Sequence, residues 1–422
     1  MESIRDVKLP KAAVSVFASM AKSTLFKKLE HLQFGRLIIS DGDGDEVHVF
    51  GEPAENAVIT ARIDVYDVTV YKLLVEKGML GCGEGYIHGM WSSPDLVALI
   101  RLMARNMNTA KALDKKSFLA GIFLKAFDFL HSNSLHGSKK NISAHYDLGN
   151  DFFKLFLDSR MMYSSAVYPH KDATLEVAAE YKLDMICKKL NITDKDSVLE
   201  IGTGWGGFAC YAAKKYGCKV TTTTISQEQY NKAVSEVDAQ QLSDKVTVLL
   251  EDYRLLTGTF DKLVSIEMIE AVGHEFYAEY FSQCSRLLKS DGEMLIQSIL
   301  VSDQRYDYAR KNTDYIKRYI FPGGCLPSQS VIANHVAKNT DMQVMAVNDI
   351  TYDYAKTLAQ WRERFLAALP KVRENGFSEE FIRMWDFYFC YCQAGFMERS
   401  IHTAQFVLAK PLWRDERYPN EC

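Results

Sequence analysis

Neither sign of charge prevails in this 422-residue chain: 50 Lys and Arg face 54 Asp and Glu, a formal net charge of −4. That balance excludes the basic footprint expected of a nucleic-acid-binding protein. No apolar run is long enough to span a bilayer; the most apolar helical stretch, Phe118–Leu130, is interrupted by Lys125 and Asp128. The opening MESIRDVKLPK lacks the apolar core and cleavage site of a secretory leader. Nine cysteines are scattered without a CxxC pair, which leaves neither a zinc ligand set nor a disulfide framework. The nearest two, Cys390 and Cys392, would point to different faces of a helix. An odd, dispersed set reads as the reduced thiols of a cytosolic protein. What remains is a globular composition, 47% hydrophobic and 12% aromatic, sized for roughly two or three domains.

Ala12–Leu32 carries apolar residues at helical spacing (Val14, Phe17, Met20, Leu25, Leu29), with Lys22, Lys27 and Lys28 on the polar side. Such a helix either packs on its own domain, the ordinary outcome, or lies on an anionic membrane surface. From Leu37 to Tyr86 the texture is β-like, with RLIISD, EVHVFG and AVITARIDVYD alternating. Asp41, Asp43, Asp45 and Glu52 have the carboxylate spacing of a calcium loop, but Glu46 stands where that loop needs glycine. A hairpin turn without metal is the expectation. Helices are expected near Ser93–Asn106 and Lys115–Phe129. The expected organisation is an N-terminal α+β domain over 1–130, a polar linker over 131–141 and a larger domain over 142–422. In the larger domain SVLEIG, KVTTTTI, KVTVLL, KLVSIE and EMLIQSIL alternate with helical segments. Alternation of this kind marks an α/β fold, a mostly parallel sheet covered on both faces. Beyond Asn339 the order loosens, with helical runs at Tyr354–Leu369 and Glu379–Gln393 and a late strand at Thr403–Leu408.

The sharpest local signal is SVLEIGTGWGG, Ser197–Gly207. An apolar strand ends at Glu200 and Ile201, then runs through Gly202, Thr203, Gly204, Trp205, Gly206 and Gly207 into a helix. Glycines there let the backbone approach a ligand, and the helix start presents unpaired N–H groups to it. A carboxylate at the strand end suits an amino group or a ribose hydroxyl better than a pyrophosphate. The turn therefore points to S-adenosylmethionine (SAM), with a dinucleotide as the rival ligand. The second strand ends in TISQEQ, Thr224–Gln229, without the usual acid; a ribose must be held there by other groups.

Six ordered blocks then carry a family resemblance: HYDLGNDFFKLFLDSRMMYSSAVYP (145–169), LEIGTGWGG (199–207), TISQEQ (224–229), IEAVG (269–273), YIFPGGCLP (319–327) and DYAKTLAQWRERF (353–365). In them the chain resembles the cyclopropane-fatty-acyl-phospholipid synthase family, with its mycolic-acid-modifying relatives. The resemblance implies a Rossmann-like class I SAM methyltransferase fold, a mixed sheet with helices on both faces, preceded by a smaller N-terminal lipid-associated domain. It implies that Tyr163, Ser164, the turn Leu199–Gly207, Thr224, Ile225, Ser226, Gln229, Asp252 and Tyr253 hold SAM. It also implies a bicarbonate ion as base, held near Ser165 by Glu270, Gln297, Ile299 and Tyr354, with Cys392 near the active site. The substrate it implies is an unsaturated phospholipid acyl chain. The protein would work in the cytoplasm from the inner membrane face, and the resemblance leans toward a homodimer.

The chemistry asks for such a set. Attack of an alkene on a sulfonium methyl leaves a carbocation, which a dry aromatic cavity stabilises, and the last step needs an oxygen base within hydrogen-bond reach. Three positions depart from the family: Ser165 replaces a cysteine, Gln297 a histidine and Ala271 another histidine. Glutamine donates and accepts but cannot titrate, so methylation or methylenation without ring closure suits these residues equally well. Ordinary roles compete throughout. Glu270 would commonly cap a helix, Tyr354 and Trp205 would pack, Gln297 would be a satisfied core amide and Cys392 a small buried hydrophobe. His145, His274 and Glu275 lack metal-ligand spacing. A soluble small-molecule N-methyltransferase and a non-catalytic lipid carrier are the competing functions.

Overall fold

The computed structural model of the chain describes residues 11–42, 46–106 and 148–414, and side chains from Phe17 onward. The expected helix Lys115–Phe129, the 131–141 linker, Asp43, Asp45 and His145 lie outside the described residues. The chain divides into two compact units, Met1–Leu124 with Arg373–Glu398, and Lys125–Val372 with Arg399–Cys422.

The first unit holds four strands, β1 (Arg36–Asp41), β2 (Glu46–Gly51), β3 (Thr60–Val65) and β4 (Trp91–Ser92), in the order β2-β1-β3-β4. β1 and β2 are antiparallel with Asp41 opposite Glu46, the strand pairing of a hairpin. Lys22 occupies the carboxylates beside it, 2.6 Å from Asp41 and 2.9 Å from Glu46. Its helix, Lys11–Leu29, buries Leu25 and Leu29 and leaves Phe17 and Met20 exposed.

Two segments depart from the expected organisation. Val70–Ile87 is helical, with a break at Gly78 (φ 55°), inside the stretch expected to be β-like. Its four glycines hide the helical period, and two lie against close neighbours: a Cβ on Gly81 would stand 2.3 Å from the Leu73 carbonyl oxygen, and one on Gly85 2.7 Å from Val70 Cγ2. The helix Glu379–Met397 groups with this unit, although 142–422 was expected to be one domain. Arg383 donates to the carbonyls of Tyr86 and, at 2.8 Å, Trp91, while Arg101 and Arg105 hold Glu398 at 2.7 and 2.6 Å.

The second unit is built on β5 (Ser197–Ile201), β6 (Lys219–Thr224), β7 (Val246–Leu250), β8 (Phe260–Ile266), β9 (Leu288–Val301), β10 (Gln343–Asp349) and β11 (Ile401–Ala409). Their order is β10-β11-β9-β8-β5-β6-β7. β5 to β9 run parallel, and β11 joins β9 and β10 antiparallel. Both faces are covered, because successive residues alternate between two cores. Leu199, Leu263, Ile296 and Phe406 meet Tyr280 and Phe281 on one face. Val198, Val264, Leu295 and Val407 meet Ile186 and Phe208 on the other. Each such buried side chain contributes roughly 1.5–3 kcal/mol, so a one-residue slip would forfeit both cores at once. The sheet is the mixed α/β sheet expected, with one addition. β10 is exposed along its whole length and offers no alternation to read; a bulge at Val344 and Ala346 irregularises this edge.

The strand order reverses at β5, where β6 lies on one side and β8 on the other. In open α/β sheets the crevice beyond the C-terminal end of that strand is where ligands sit. Among the described residues, no helix is long and apolar enough to cross a membrane.

Candidate active site

β5 stops at Ile201, and the chain turns through Gly202 (φ 102°), Gly204 (φ 52°) and Gly206 (φ 90°). A Cβ on Gly204 would meet nothing within 4 Å. The glycine therefore opens room at the strand end instead of relieving a packing clash. Gly206 starts the helix Gly207–Tyr216 without a side-chain cap, leaving its first N–H groups to a ligand. Leu199 and Ile201 face the hydrophobic core and support the turn from below. Glu200 is buried and accepts from Thr222 Oγ1 at 2.6 Å, and burial pushes its carboxyl up to about 8. The hydroxyls of Thr222 and Thr203 lie 2.8 Å apart.

The neighbouring strand ends add polar groups. Thr224 Oγ1 donates to Gln229 Oε1 at 2.9 Å, which leaves the Gln229 NH2 to donate elsewhere. Ser226 accepts from the Gln229 N–H at 3.3 Å and starts the helix Gln227–Ala239, with Ile225 half-buried before it. After β7, Asp252 grips Arg254 Nε and Nη2 at 2.8 and 2.7 Å, and the Tyr253 ring lies 5.6 Å from that guanidinium. Ser164 Oγ accepts from Lys182 Nζ at 2.6 Å. Tyr163 packs 5.2 Å from Phe153 and 5.3 Å from Trp361, and Trp205 Nε1 donates to Asn150 Oδ1 at 2.5 Å. The open cradle at Gly204, bare helix N–H groups and a buried carboxyl fit an amino-acid nucleoside such as SAM.

A second cluster stands beside the first. β8 runs parallel to β5, and a Cβ on Gly202 would come 3.2 Å from the Met268 side chain. Directly after β8, Glu267 takes φ 51°, a left-handed conformation that costs a non-glycine residue roughly 1–3 kcal/mol. Its carboxylate gathers three donors. Oε1 accepts from the Ser165 N–H at 2.9 Å and Gln297 Nε2 at 2.8 Å, and Oε2 accepts from the Tyr354 hydroxyl at 2.8 Å. Gln297 Oε1 in turn accepts from Gln405 Nε2 at 2.9 Å, which fixes the amide with its NH2 toward the carboxylate. The Ser165 hydroxyl donates away, to the Ala166 carbonyl at 2.9 Å, so only its backbone serves the cluster.

Glu270 follows in a short 3-10 turn, Ile269–Ala271. Its Oε1 accepts from the Ile299 N–H at 2.5 Å and Ser298 Oγ at 3.0 Å, while Oε2 is buried with no hydrogen-bond partner. Both glutamates are half-buried, and desolvation is the largest influence on their acidity. Burial and the adjacent Glu267 charge push Glu270 up to about 8. Burial raises Glu267 too, but Gln297, Lys182, Ser165 and Tyr354 all favour its charged form. The two carboxyls are therefore held differently: Glu267 is met by three donors and Glu270 is pushed up by its neighbour's charge. Lys182, fully buried, is pulled down to about 8 by desolvation against the pull of Glu267, Asp158 and Glu200.

Of the residues assigned to a base site, Ser165, Glu270, Gln297, Ile299 and Tyr354 come together here. Cys392 belongs to the other unit, half-buried on its helix Glu379–Met397. A bicarbonate ion does not fit as expected, because three of its assigned holders already bind Glu267. Sequence reasoning missed Glu267, Lys182 and Gln405. For Glu267 there was a usable signal: two carboxylates three residues apart at the C-terminal end of a parallel strand, where ligands gather.

Residues 133–406 match the mycolic acid cyclopropane synthetase family. The tuberculostearic acid methyltransferase UfaA1 of Mycobacterium tuberculosis is 32% identical over 410 residues, 95% of this chain and 93% of that protein. The cyclopropane-fatty-acyl-phospholipid synthase of Escherichia coli K12 is 36% identical over 363 residues, 85% and 90% of the two chains. The solved structure of the cyclopropane synthase CmaA1 with SAH and CTAB superposes with a TM-score of 0.60 at 32% identity, covering 64% of this chain and 98% of that one.

Proposed function

This chain belongs to the mycolic acid cyclopropane synthetase family and is a SAM-dependent methyltransferase, and from that premise we propose that it methylates the cis double bond of an unsaturated phospholipid acyl chain, closing a cyclopropane ring. The observation that carries this reading is the pairing of the glycine turn with a carboxylate cluster in an aromatic enclosure. Tyr354 and Tyr163 lie 6.1 and 5.3 Å from Trp361, and Tyr163 lies 6.2 Å from Phe321. SAM would supply an electrophilic methyl group at the turn. The ring faces would stabilise the cation that follows, and the enclosure would keep water from trapping it.

A methylene or methyl-branched product is the second reading. It is favoured by the relative that aligns along 95% of this chain, a tuberculostearic acid methyltransferase. The lipid would be met at the cytoplasmic membrane face by a protein that visits the surface without crossing it. Exposed Phe17 and Met20 on a helix ending in Lys27 and Lys28 support that.

The test is incubation with SAM and vesicles of cis-unsaturated phospholipid, followed by mass spectrometry and proton NMR of the fatty acids. Gain of one CH2 with cyclopropyl protons is expected; gain with olefinic methylene protons selects the second reading. No gain on any cis-unsaturated phospholipid, with SAM bound, would sink both.

A further inference from the structure

We propose that Glu267 is the resident base of this reaction, its carboxylate taking the proton that leaves the methylated acyl chain, where the family resemblance placed a bicarbonate ion. The inference rests on the lipid-methylation reading above and names the group that completes it.

Three observations carry it. First, Ser165 N–H, Gln297 Nε2 and Tyr354 OH converge on this one carboxylate, from segments far apart in the chain. An ionised carboxylate offers about four acceptor sites. The three donors use two on Oε1 and one on Oε2, leaving one lone pair of Oε2 for an incoming proton. Second, the backbone at φ 51° suits glycine and strains glutamate, so the strained residue is present for its side chain. Third, Glu267 is half-buried rather than sealed, and no cation among the described residues lies at ion-pair distance from it. A carboxylate serving only as a brace would more commonly be closed off by an arginine or lysine. Three donors favour negative charge on Glu267, whereas Glu270 Oε2 has no hydrogen-bond partner, so Glu267 is the member of the pair built to accept.

The step balances. The alkene π pair forms a C–C bond to the methyl carbon as the C–S bond breaks, and sulfur leaves with its pair as a neutral thioether. The neighbouring carbon becomes cationic. Glu267 Oε2 takes a proton from the new methyl group, and the freed C–H pair closes onto the cationic carbon to form the ring. If a hydride first shifts between the two carbons, the same pair forms the double bond of a methylene product. Either way one proton sits on Glu267 and passes to water on turnover.

The experiment compares the full-length wild type, Glu267→Gln and Glu267→Gly on cis-unsaturated phospholipid vesicles. Each is assayed in CO2-free buffer, alone and with added formate or bicarbonate. Binding of S-adenosylhomocysteine is measured in parallel to confirm an intact donor site. Wild-type turnover is expected to ignore bicarbonate. Glu267→Gln should lose on the order of 100-fold or more with S-adenosylhomocysteine affinity within about threefold, an effect confined to the acceptor step. Glu267→Gly removes the side chain and relaxes the turn, leaving the three donors around an anion-sized space. Formate or bicarbonate should restore at least about tenfold of its lost rate, which a merely structural role would not produce. Wild type that needs added bicarbonate, Glu267→Gln within about threefold of wild type, or Glu267→Gly that no small carboxylate revives would each overturn the assignment. Wild type inactive on every lipid would instead bring down the function reading, and this inference with it.

Discussion

Strands β5 and β8 lie side by side and end in turns of opposite construction. After β5 the chain offers backbone and empty room: three left-handed glycines, an uncapped helix start and one buried carboxyl. After β8 it offers side chains already committed to one another, with Glu267 at the hub of Ser165, Gln297 and Tyr354. The first turn is shaped by what a ligand will fill. The second is preorganised, and a change in any member is felt through the others. Substitutions in the two turns should therefore separate cleanly, donor binding failing in one and turnover in the other.

The largest effect belongs to the β5 turn. Gly204→Val would place a branched side chain at φ 52°, aimed into the room left open there. S-adenosylhomocysteine affinity should fall by roughly 100-fold or more, measured by titration calorimetry, while circular dichroism stays native. Retained affinity would mean that the ligand lies elsewhere. On β9, facing the β8 turn, Gln297→Leu deprives Glu267 of a donor and also strands Ser165 O and Gln405 Nε2. Lipid turnover should drop by about 100-fold, since stranding buried partners of a charged group costs a few kcal/mol, with S-adenosylhomocysteine affinity unchanged. Equal losses of affinity and turnover would erase the distinction between the two turns.

That contrast also sets what could be read from the residues alone. The β5 turn was legible because its chemistry needs glycine at fixed spacing, and the strands around it because Leu199 and Val198, or Leu263 and Val264, must face different cores. The carboxylate hub was not. A glutamate behind an apolar strand has many ordinary uses, and the donors that single out Glu267 lie at 165, 297 and 354, a meeting only the fold makes. The same reason hid the placement of Glu379–Met397. Its partners in the first unit, such as Trp91 for Arg383 and Arg101 for Glu398, are almost 300 residues away in the chain. β10 escaped because a wholly exposed edge strand carries no core-facing period.

A smaller effect sharpens the account of the hub. Tyr354→Phe removes the donor on Oε2 and leaves Oε1 held by Ser165 and Gln297. Turnover should fall by about tenfold. The hydroxyl favours the charged form of Glu267, so its loss raises that pKa. The acid limb of kcat/KM must therefore move to higher pH. A limb that stays in place, or moves to lower pH, would show that the titrating base is some other group.

The smallest expected effect tests the buried carboxyl of the β5 turn through stability. Burial holds Glu200 up to about 8 from its ordinary 4.5, so between those values the folded protein keeps a proton that the unfolded chain has released. Stability contributed by this group must therefore fall as pH rises through that window. Lys182, depressed to about 8 from 10.5, works the other way in a different window: the unfolded chain holds the extra proton, and stability rises from pH 8 toward 10.5. Glu200→Gln removes the first slope and leaves the second. At pH 5 the variant should match wild type closely in chemical denaturation. At pH 8.5 it should be more stable by on the order of 2 kcal/mol, having no carboxylate to ionise in the core. A variant less stable than wild type at pH 8.5 would mean that Glu200 is ionised and paired in the folded protein, which would place a charge in a turn otherwise made of backbone and open room.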